Sequence, residues 1–231
     1  PRSTLFPYTT LFRSGVTVVD AGLSGHWREF LAELLALGRT LEDVRAVLLT
    51  HGDTDHLGFA ERLRGEHGVP VYVHRADASR ARGEEKTSPS WGKVKVGPLV
   101  RFLTYAALRG GLRTHYLADV QELDGGEELD VPGRPRVIPL PGHSPGSVAY
   151  YFPSVKAVCV GDALTTGHVL TGEQGPQPAP FTDDPARALE SLSSIESLEA
   201  TWVLPGHGAP WSGGVAEAVR LVREAAASQA T

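Results

Sequence analysis

Residues 44–58 read VRAVLLTHGDTDHLG, an apolar run followed by His51, Asp53, Asp55 and His56 inside six positions. A short Val/Leu-rich run of this kind reads as a buried strand. Two imidazoles and two carboxylates packed so tightly repel one another or go unsatisfied unless solvent, a helix cap or a metal ion holds them. Which of these holds them decides both the fold and the chemistry.

On either side of this stretch, apolar strands alternate with helical segments. VTVVDAG (16–22) reads as a strand ending in a turn, and GHWREFLAELLALG (25–38) as a helix. In that helix Trp27, Phe30, Leu31, Leu34 and Leu35 recur at helical spacing, and Gly38 closes it. HLGFAERLRGEHG (56–68) follows as a second helix and VPVYVHRAD (69–77) as a strand. The second half is richer in strands, with RPRVIPLPGH (134–143), SVAYYFP (147–153), KAVCVGD (156–162) and ATWVLPGH (200–207). Between the last two, DDPARALESLSSIESLEA (183–200) reads as a helix capped by Asp183 or Asp184, with Pro185 in its first turn. The alternation predicts an α/β layered domain.

Composition narrows the class. A chain of 231 residues, 41% hydrophobic and 21% charged, is long enough for one domain with a sizeable core. The net charge of −5 gives no reason to expect a nucleic-acid partner. The single cysteine, Cys159, excludes an internal disulfide and a cysteine-based zinc knuckle, and its place in a strand favours burial over catalysis. No apolar run approaches the roughly 18 residues of a membrane span, and the expected compartment is the cytoplasm. TLFPYTTLFRS (4–14) resembles the in-frame translation of a sequencing-library adapter, so residues 1–14 are set aside as an artefact. On that reading the natural start is missing, the domain runs from 15 to 231, and Gly15–Asp20 forms a strand with an uncovered neighbour.

The opening question narrows once three more strand ends are compared. IPLPGHSPGS presents His143, AVCVGDAL presents Asp162, and WVLPGHGAP presents His207, each beside glycine. Loops at the ends of rigid strands are where ligands and catalytic groups are placed. One such histidine is ordinarily a surface residue; four strand ends carrying only His and Asp point to a metal.

Together these motifs resemble the metallo-β-lactamase superfamily over nearly all of residues 15–218. The resemblance implies a four-layer αββα sandwich, truncated here at its N-terminus, with a metal centre at the rim between two sheets. It implies that His51, Asp53 and His143 hold one metal, that Asp55, His56 and His207 hold a second, and that Asp162 bridges the two. It further implies that Asp20 orients a ligand imidazole from behind. The sequence departs from the commoner H-x-H-x-D-H pattern at Asp53, where a hard anionic oxygen replaces a nitrogen. The expected cofactors are therefore two divalent ions, zinc first, with iron or manganese as alternatives. Two such ions roughly 3.5–4 Å apart can hold a hydroxide near neutral pH and polarise a carbonyl or phosphoryl oxygen. Asp55 and Asp162 are the catalytic candidates, Asp55 ligating and managing the transferred proton.

The expected function is metal-dependent hydrolysis of an ester, thioester, lactone or phosphoester. The alternatives are an iron-dependent oxidoreductase on the same fold and a non-catalytic metal-binding module. A basic helical insertion at about 78–118, containing PLVRFLTYAALRGG, is expected to cover the site. From Arg75 to Ala118 nine Lys/Arg face three Asp/Glu, a net +6 that leaves −11 on the rest of the chain. That asymmetry suits a small anionic substrate. His74, His115 and His168 are expected to border the pocket, and His26 and His67 to lie on the surface.

Overall fold

The computed structural model describes residues 8–12, 15–85 and 91–229. The first sheet holds β1 (Tyr8–Phe12), β2 (Gly15–Val19), β3 (Val44–Leu48), β4 (Val71–His74) and β5 (Gln121–Leu123) in that spatial order. β2 to β5 run parallel and β1 antiparallel. In the second sheet β6 (Arg136–Pro139), β7 (Val148–Phe152) and β8 (Ala157–Gly161) form an antiparallel run. β9 (Thr165–Gly167) and β10 (Gln174–Gln177) make a separate ribbon, and β11 (Trp202–Pro205) adds to β8 in parallel. The helices are α1 (Trp27–Ala36), α2 (Thr54–Leu57), α3 (Ala60–His67), α4 (Ala78–Ala81), α5 (Val96–Leu108), α6 (Pro185–Ser191), α7 (Ser193–Glu196) and α8 (Val215–Gln229).

Strand alternation builds the layers. Along β7 and β8, Tyr150, Phe152 and Cys159 face inward onto Val19, Ala46 and Leu48 of the first sheet. Ala149, Tyr151, Val158 and Val160 face outward onto Leu192, Ile195, Val219 and Val222 of the second helical layer. On the far side, Val16, Val18, Val71 and Val73 pack against Phe30, Leu34 and Leu63. Three apolar interfaces between four layers make the αββα sandwich. Each large apolar side chain buried in them contributes about 1.5–3 kcal/mol.

Several sequence expectations change in detail. β2 is not an edge, because Tyr8–Phe12 pair along all five of its residues, from Tyr8 opposite Val19 to Phe12 opposite Gly15. Thr- and aromatic-rich backbone has the propensity to fill an open ladder. The expected helix at 56–68 is broken at Gly58, where a Cβ would lie 2.2 Å from the Gly22 carbonyl oxygen. The close approach requires glycine there. The segment 183–200 likewise divides into α6 and α7, and the cap is Asp184, which accepts from the Arg187 N–H at 3.0 Å.

The insertion has two characters. α4 is no lid: Ala78, Arg80 and Ala81 are buried. α5 spans the rim between the two halves. At one end Tyr105 Oη lies 2.8 Å from His26 Nε2, and at the other the Lys95 N–H donates to the Leu170 carbonyl at 2.9 Å. Phe102 approaches Phe181, with ring centroids 6.1 Å apart. No helix among the described residues is long and apolar enough to cross a membrane.

Candidate metal centre

β2, β3, β8 and β11 all present their carboxyl ends to one rim, and β6, antiparallel to β7, points the same way. The loops leaving these strands carry Asp20, His51, Asp162, His207 and His143. The two sheets are tied just behind them. Tyr150 Oη donates to the Leu49 carbonyl at 2.8 Å, and the Val148 N–H to the Thr50 carbonyl at 2.8 Å.

All seven sequence-predicted residues meet in one cluster. Donor atoms of His51, Asp53 and His143 lie within 4.8 Å of one another, as do those of Asp55, His56 and His207. Asp162 stands between the two sets. Its Oδ2 is 3.8 Å from His143 Nε2 and 3.2 Å from His207 Nε2, and its Oδ1 is 3.7 Å from His56 Nε2. Asp53 Oδ2 lies 3.7 Å from His51 Nε2 and 3.4 Å from His143 Nε2, while Asp55 Oδ2 lies 3.2 Å from His207 Nε2.

The supporting hydrogen bonds fix which nitrogen is available. Thr50 Oγ1 donates to Asp20 Oδ2 at 2.8 Å, so its contact with His51 Nδ1 at 3.0 Å must be a bond it accepts. Thr182 Oγ1 donates to the Ala179 carbonyl at 2.8 Å, so His143 Nδ1–H donates to it at 3.2 Å. Asp20 Oδ2 accepts from His56 Nδ1 at 2.9 Å. In His51, His56 and His143 alike, the outer nitrogen carries the bond from behind and Nε2 points into the cluster. Asp20 serves from a left-handed backbone, φ 58°, a conformation uncommon outside glycine but tolerated by Asp.

These groups fit a metal. His51 Nε2, His56 Nε2 and Asp162 Oδ1 are buried with no hydrogen-bond partner. Buried polar atoms are rarely left so, and here they converge on the points a cation would occupy. Electrostatics agree. Burial first, then the neighbouring imidazoles, hold His51 well below the usual histidine range, so it is neutral. His56 goes the other way. Burial opposes its charge, but Asp20, Asp55 and Asp162 outweigh that and push it up to about 10. His207 is raised similarly by Asp162 and Asp55 against burial. Asp55 and Asp162 are held below the carboxylate range by the histidine charges, again against burial.

Residues outside the sequence-predicted set hold the loops in place. Asp77 is buried and accepts from the Gly52 N–H (2.8 Å), Ser144 Oγ (2.6 Å) and the Gly146 N–H (2.7 Å), joining the His51 loop to the His143 loop. Arg80, also buried, donates to Asp53 Oδ1 at 3.4 Å and Asp183 Oδ2 at 2.6 Å. Gly206 allows β11 to pass, since a Cβ there would lie 2.2 Å from Asp162 Oδ1. The acidic and basic residues of HRADASRA were a visible signal for the first two, though not for their direction.

Other expectations need correction. His26 is 1% exposed, not on the surface: Nδ1 accepts from the Leu23 N–H at 3.0 Å and Nε2 meets Tyr105. Burial, helped by Arg109, lowers its pKa to about 4. His67 is exposed as expected and stacks on Trp27. Of the three histidines expected at the pocket, only His168 lines the cavity beside the centre; His74 bonds the Asp124 carbonyl and His115 is exposed. Cys159 is buried, which pushes its thiol up and out of reach of nucleophilic chemistry.

Fold and rim together define a metal-binding αββα protein, and comparison with known proteins identifies its family. The chain belongs to the metallo-beta-lactamase superfamily, whose family model matches residues 5–207. It is 32% identical to "Probable metallo-hydrolase YflN" of Bacillus subtilis (strain 168) over 74% of this chain and 66% of that protein, just under two thirds of the relative's length. Among solved structures, metallo-beta-lactamase family protein TTHA1429 from Thermus thermophilus superposes with a TM-score of 0.69 at 26% identity. That match covers 96% of this chain and 74% of the other. TTHA1623 in a di-iron-bound form gives 0.62 at 28% identity, covering 90% and 89%. Curated relatives in this superfamily, YflN among them, carry the description probable metallo-hydrolase.

Proposed function

We propose that the chain hydrolyses a small ester, thioester, lactone or phosphoester at two divalent cations. His51, Asp53 and His143 would hold one, Asp55, His56 and His207 the other, and Asp162 would serve both. Zinc is the first candidate, with iron or manganese as alternatives. The observation that carries this reading is the convergence of unpartnered buried His51 Nε2, His56 Nε2 and Asp162 Oδ1 on one gap. When bound, such cations lower the pKa of water and polarise the oxygen of the scissile group.

The chain's own residues supply the rest. Asp55 is the more open carboxylate, 32% exposed against 5% for Asp162, and is placed to take a proton at Oδ2 and pass it toward the leaving group. Asp162 stays ionised and keeps the two sets of donors together. Thr50, Thr182 and Asp20 hold the three imidazoles with Nε2 inward, so no reorientation is needed as charge develops.

A cavity of about 1120 Å³ adjoins the centre through Ala163 and Thr182, although none of the seven donors lines it. Trp91 and Phe181 form an aromatic corner there, with ring centroids 5.3 Å apart, and Lys93 and Lys95 edge it. Such walls suit a substrate with an apolar body. Support for an anionic group is narrower than the insertion's +6 suggests. Arg75, Arg82, Lys95 and Arg109 are paired with Asp124, Glu122, Glu173 and Glu29, and Arg80 is buried between two aspartates.

A second reading, an iron-dependent oxidoreductase, draws on Asp53 and on the likeness to the di-iron form of TTHA1623. Metal analysis of the purified protein, with an ester, thioester, lactone and phosphodiester panel, separates the two. Metal-dependent turnover without a redox signal supports hydrolysis. Bound iron with oxygen consumption supports the oxidoreductase, and bound metal with neither activity supports a non-catalytic module.

A further inference from the structure

Asp53 stands where the commoner ligand set has a histidine, and the substitution creates two difficulties. It adds a negative charge to a rim already holding Asp20, Asp55 and Asp162. It also offers two oxygens where an imidazole offers one nitrogen. The structure answers both with one side chain. Arg80 is 6% exposed, and its Nη1 faces Asp53 Oδ1 at 3.4 Å while Oδ2 faces His51 Nε2 and His143 Nε2. Its Nη2 donates to Asp183 Oδ2 at 2.6 Å, and the Asp183 N–H in turn donates to the His143 carbonyl at 3.1 Å. The guanidinium is therefore tied to the backbone of one proposed ligand and to the side chain of another.

Its placement is built into the fold. Arg80 lies on α4, one turn after Asp77, which holds the Gly52 N–H between His51 and Asp53. A Cβ on Gly52 would lie 2.8 Å from the Asp77 carbonyl oxygen and 3.0 Å from Arg80 Cβ, so the glycine of HGD lets α4 approach. A lone buried guanidinium is costly unless carboxylates pair with it, and Arg80 has two. It is buried between them and is not a solvent-facing cation of the insertion.

We propose that Arg80 is a positioning residue for the metal centre. It occupies Asp53 Oδ1, so that Asp53 meets a cation through Oδ2 alone, and it offsets the carboxylate's charge. Asp53 and Arg80 together then stand in for one neutral histidine. The proposal rests on reading Asp53 as a ligand.

The test is a double-mutant cycle on the full chain with Co2+ as probe, following stoichiometry, affinity by chelator competition and the visible d–d band. The variants are Arg80→Met, Arg80→Lys, Asp53→Ala, Asp53→His and Arg80→Met/Asp53→His, with thermal unfolding as a check on folding. Arg80→Met should weaken one of two Co2+ sites about 10- to 100-fold, the usual range for losing a group that orients a ligand. Its d–d band should fall in intensity as the freed second oxygen enters the coordination sphere. Arg80→Lys, which restores the charge without the planar fork, should recover part of the affinity. In the Asp53→His background the same Arg80→Met change should cost nothing or tighten binding, because an imidazole needs no counter-ion. Equal losses in both backgrounds, or none in either, would overturn the role of Arg80 alone. If the wild-type chain binds no Co2+, or if Asp53→Ala leaves both sites intact, the reading of the centre fails first.

Discussion

The two donor sets meet at Asp162 but are supported in opposite ways. Behind His51, Asp53 and His143 stand two hydroxyls and a guanidinium, from Thr50, Thr182 and Arg80. Behind His56 stands a carboxylate, Asp20, and His207 Nδ1 is buried with no hydrogen-bond partner. The first set therefore brings its own cation to Asp53, while burial and the neighbouring imidazoles lower the pKa of His51. The second surrounds its imidazoles with carboxylates, which raise the pKa of His56 and of His207 against the effect of burial. Both sets face clustered negative charge, the first with the fixed cation of Arg80 beside Asp53 and the second with imidazoles beside Asp55 and Asp162.

Breaking the link between the sets should have the largest effect. Asp162→Ala removes the carboxylate that touches both, leaves two like-charged ions less compensated, and should lower hydrolysis at least about 100-fold. Metal stoichiometry should drop below two per chain; a variant retaining two ions and full rate would refute the bridging assignment. Asp20→Asn keeps the side-chain volume but removes the charge behind His56. It should weaken one of the two sites about tenfold, and the site lost should be the one also lost in His207→Ala. A uniform loss at both would show that Asp20 acts mainly through Thr50 and His51.

Asp53→His sharpens the contrast from the other side. It should cost less than Asp162→Ala and should raise the ratio of zinc to iron retained, measured by elemental analysis after growth in mixed metals. An unchanged ratio would mean that Asp53 does not set metal choice. The smallest effect belongs to His67→Ala, which removes an exposed ring stacked on Trp27. Stoichiometry and rate should stay within error, and a loss of either would require a new ligand map.

The sequence made the centre legible because each of its four motifs follows an apolar strand, and a strand's end is a local property. HGDTDH, GHSPG, GDAL and PGHG could thus be read without knowing which strands pair. Asp77 and Arg80 were not legible as supports, because their direction depends on α4 folding back against Gly52. No periodicity records that contact. His26 illustrates the same limit. A histidine in SGHW looks solvated until Tyr105, far along the chain, supplies the second partner that makes burial tolerable. Tyr8–Phe12 form a strand whatever their origin, since β-propensity and an open ladder are sufficient. The Arg-rich insertion misled by count, because net charge does not reveal which cations already have partners.

The parallel pairing of β11 with β8 also has a consequence for how the molecule is made. On a ribosome, His51 to His56 emerge early, whereas His207 follows only after β11, and β11 can pair only when the chain from Gly161 to Trp202 has closed its loop. Such non-local, parallel closure is a slow step in folding. A nascent chain that captured an ion at HGDTDH would hold it with an incomplete shell, open to exchange or to the wrong metal. With the proposed ligands, full occupancy would follow the docking of β11, so metal loading would mark the end of folding and not its beginning.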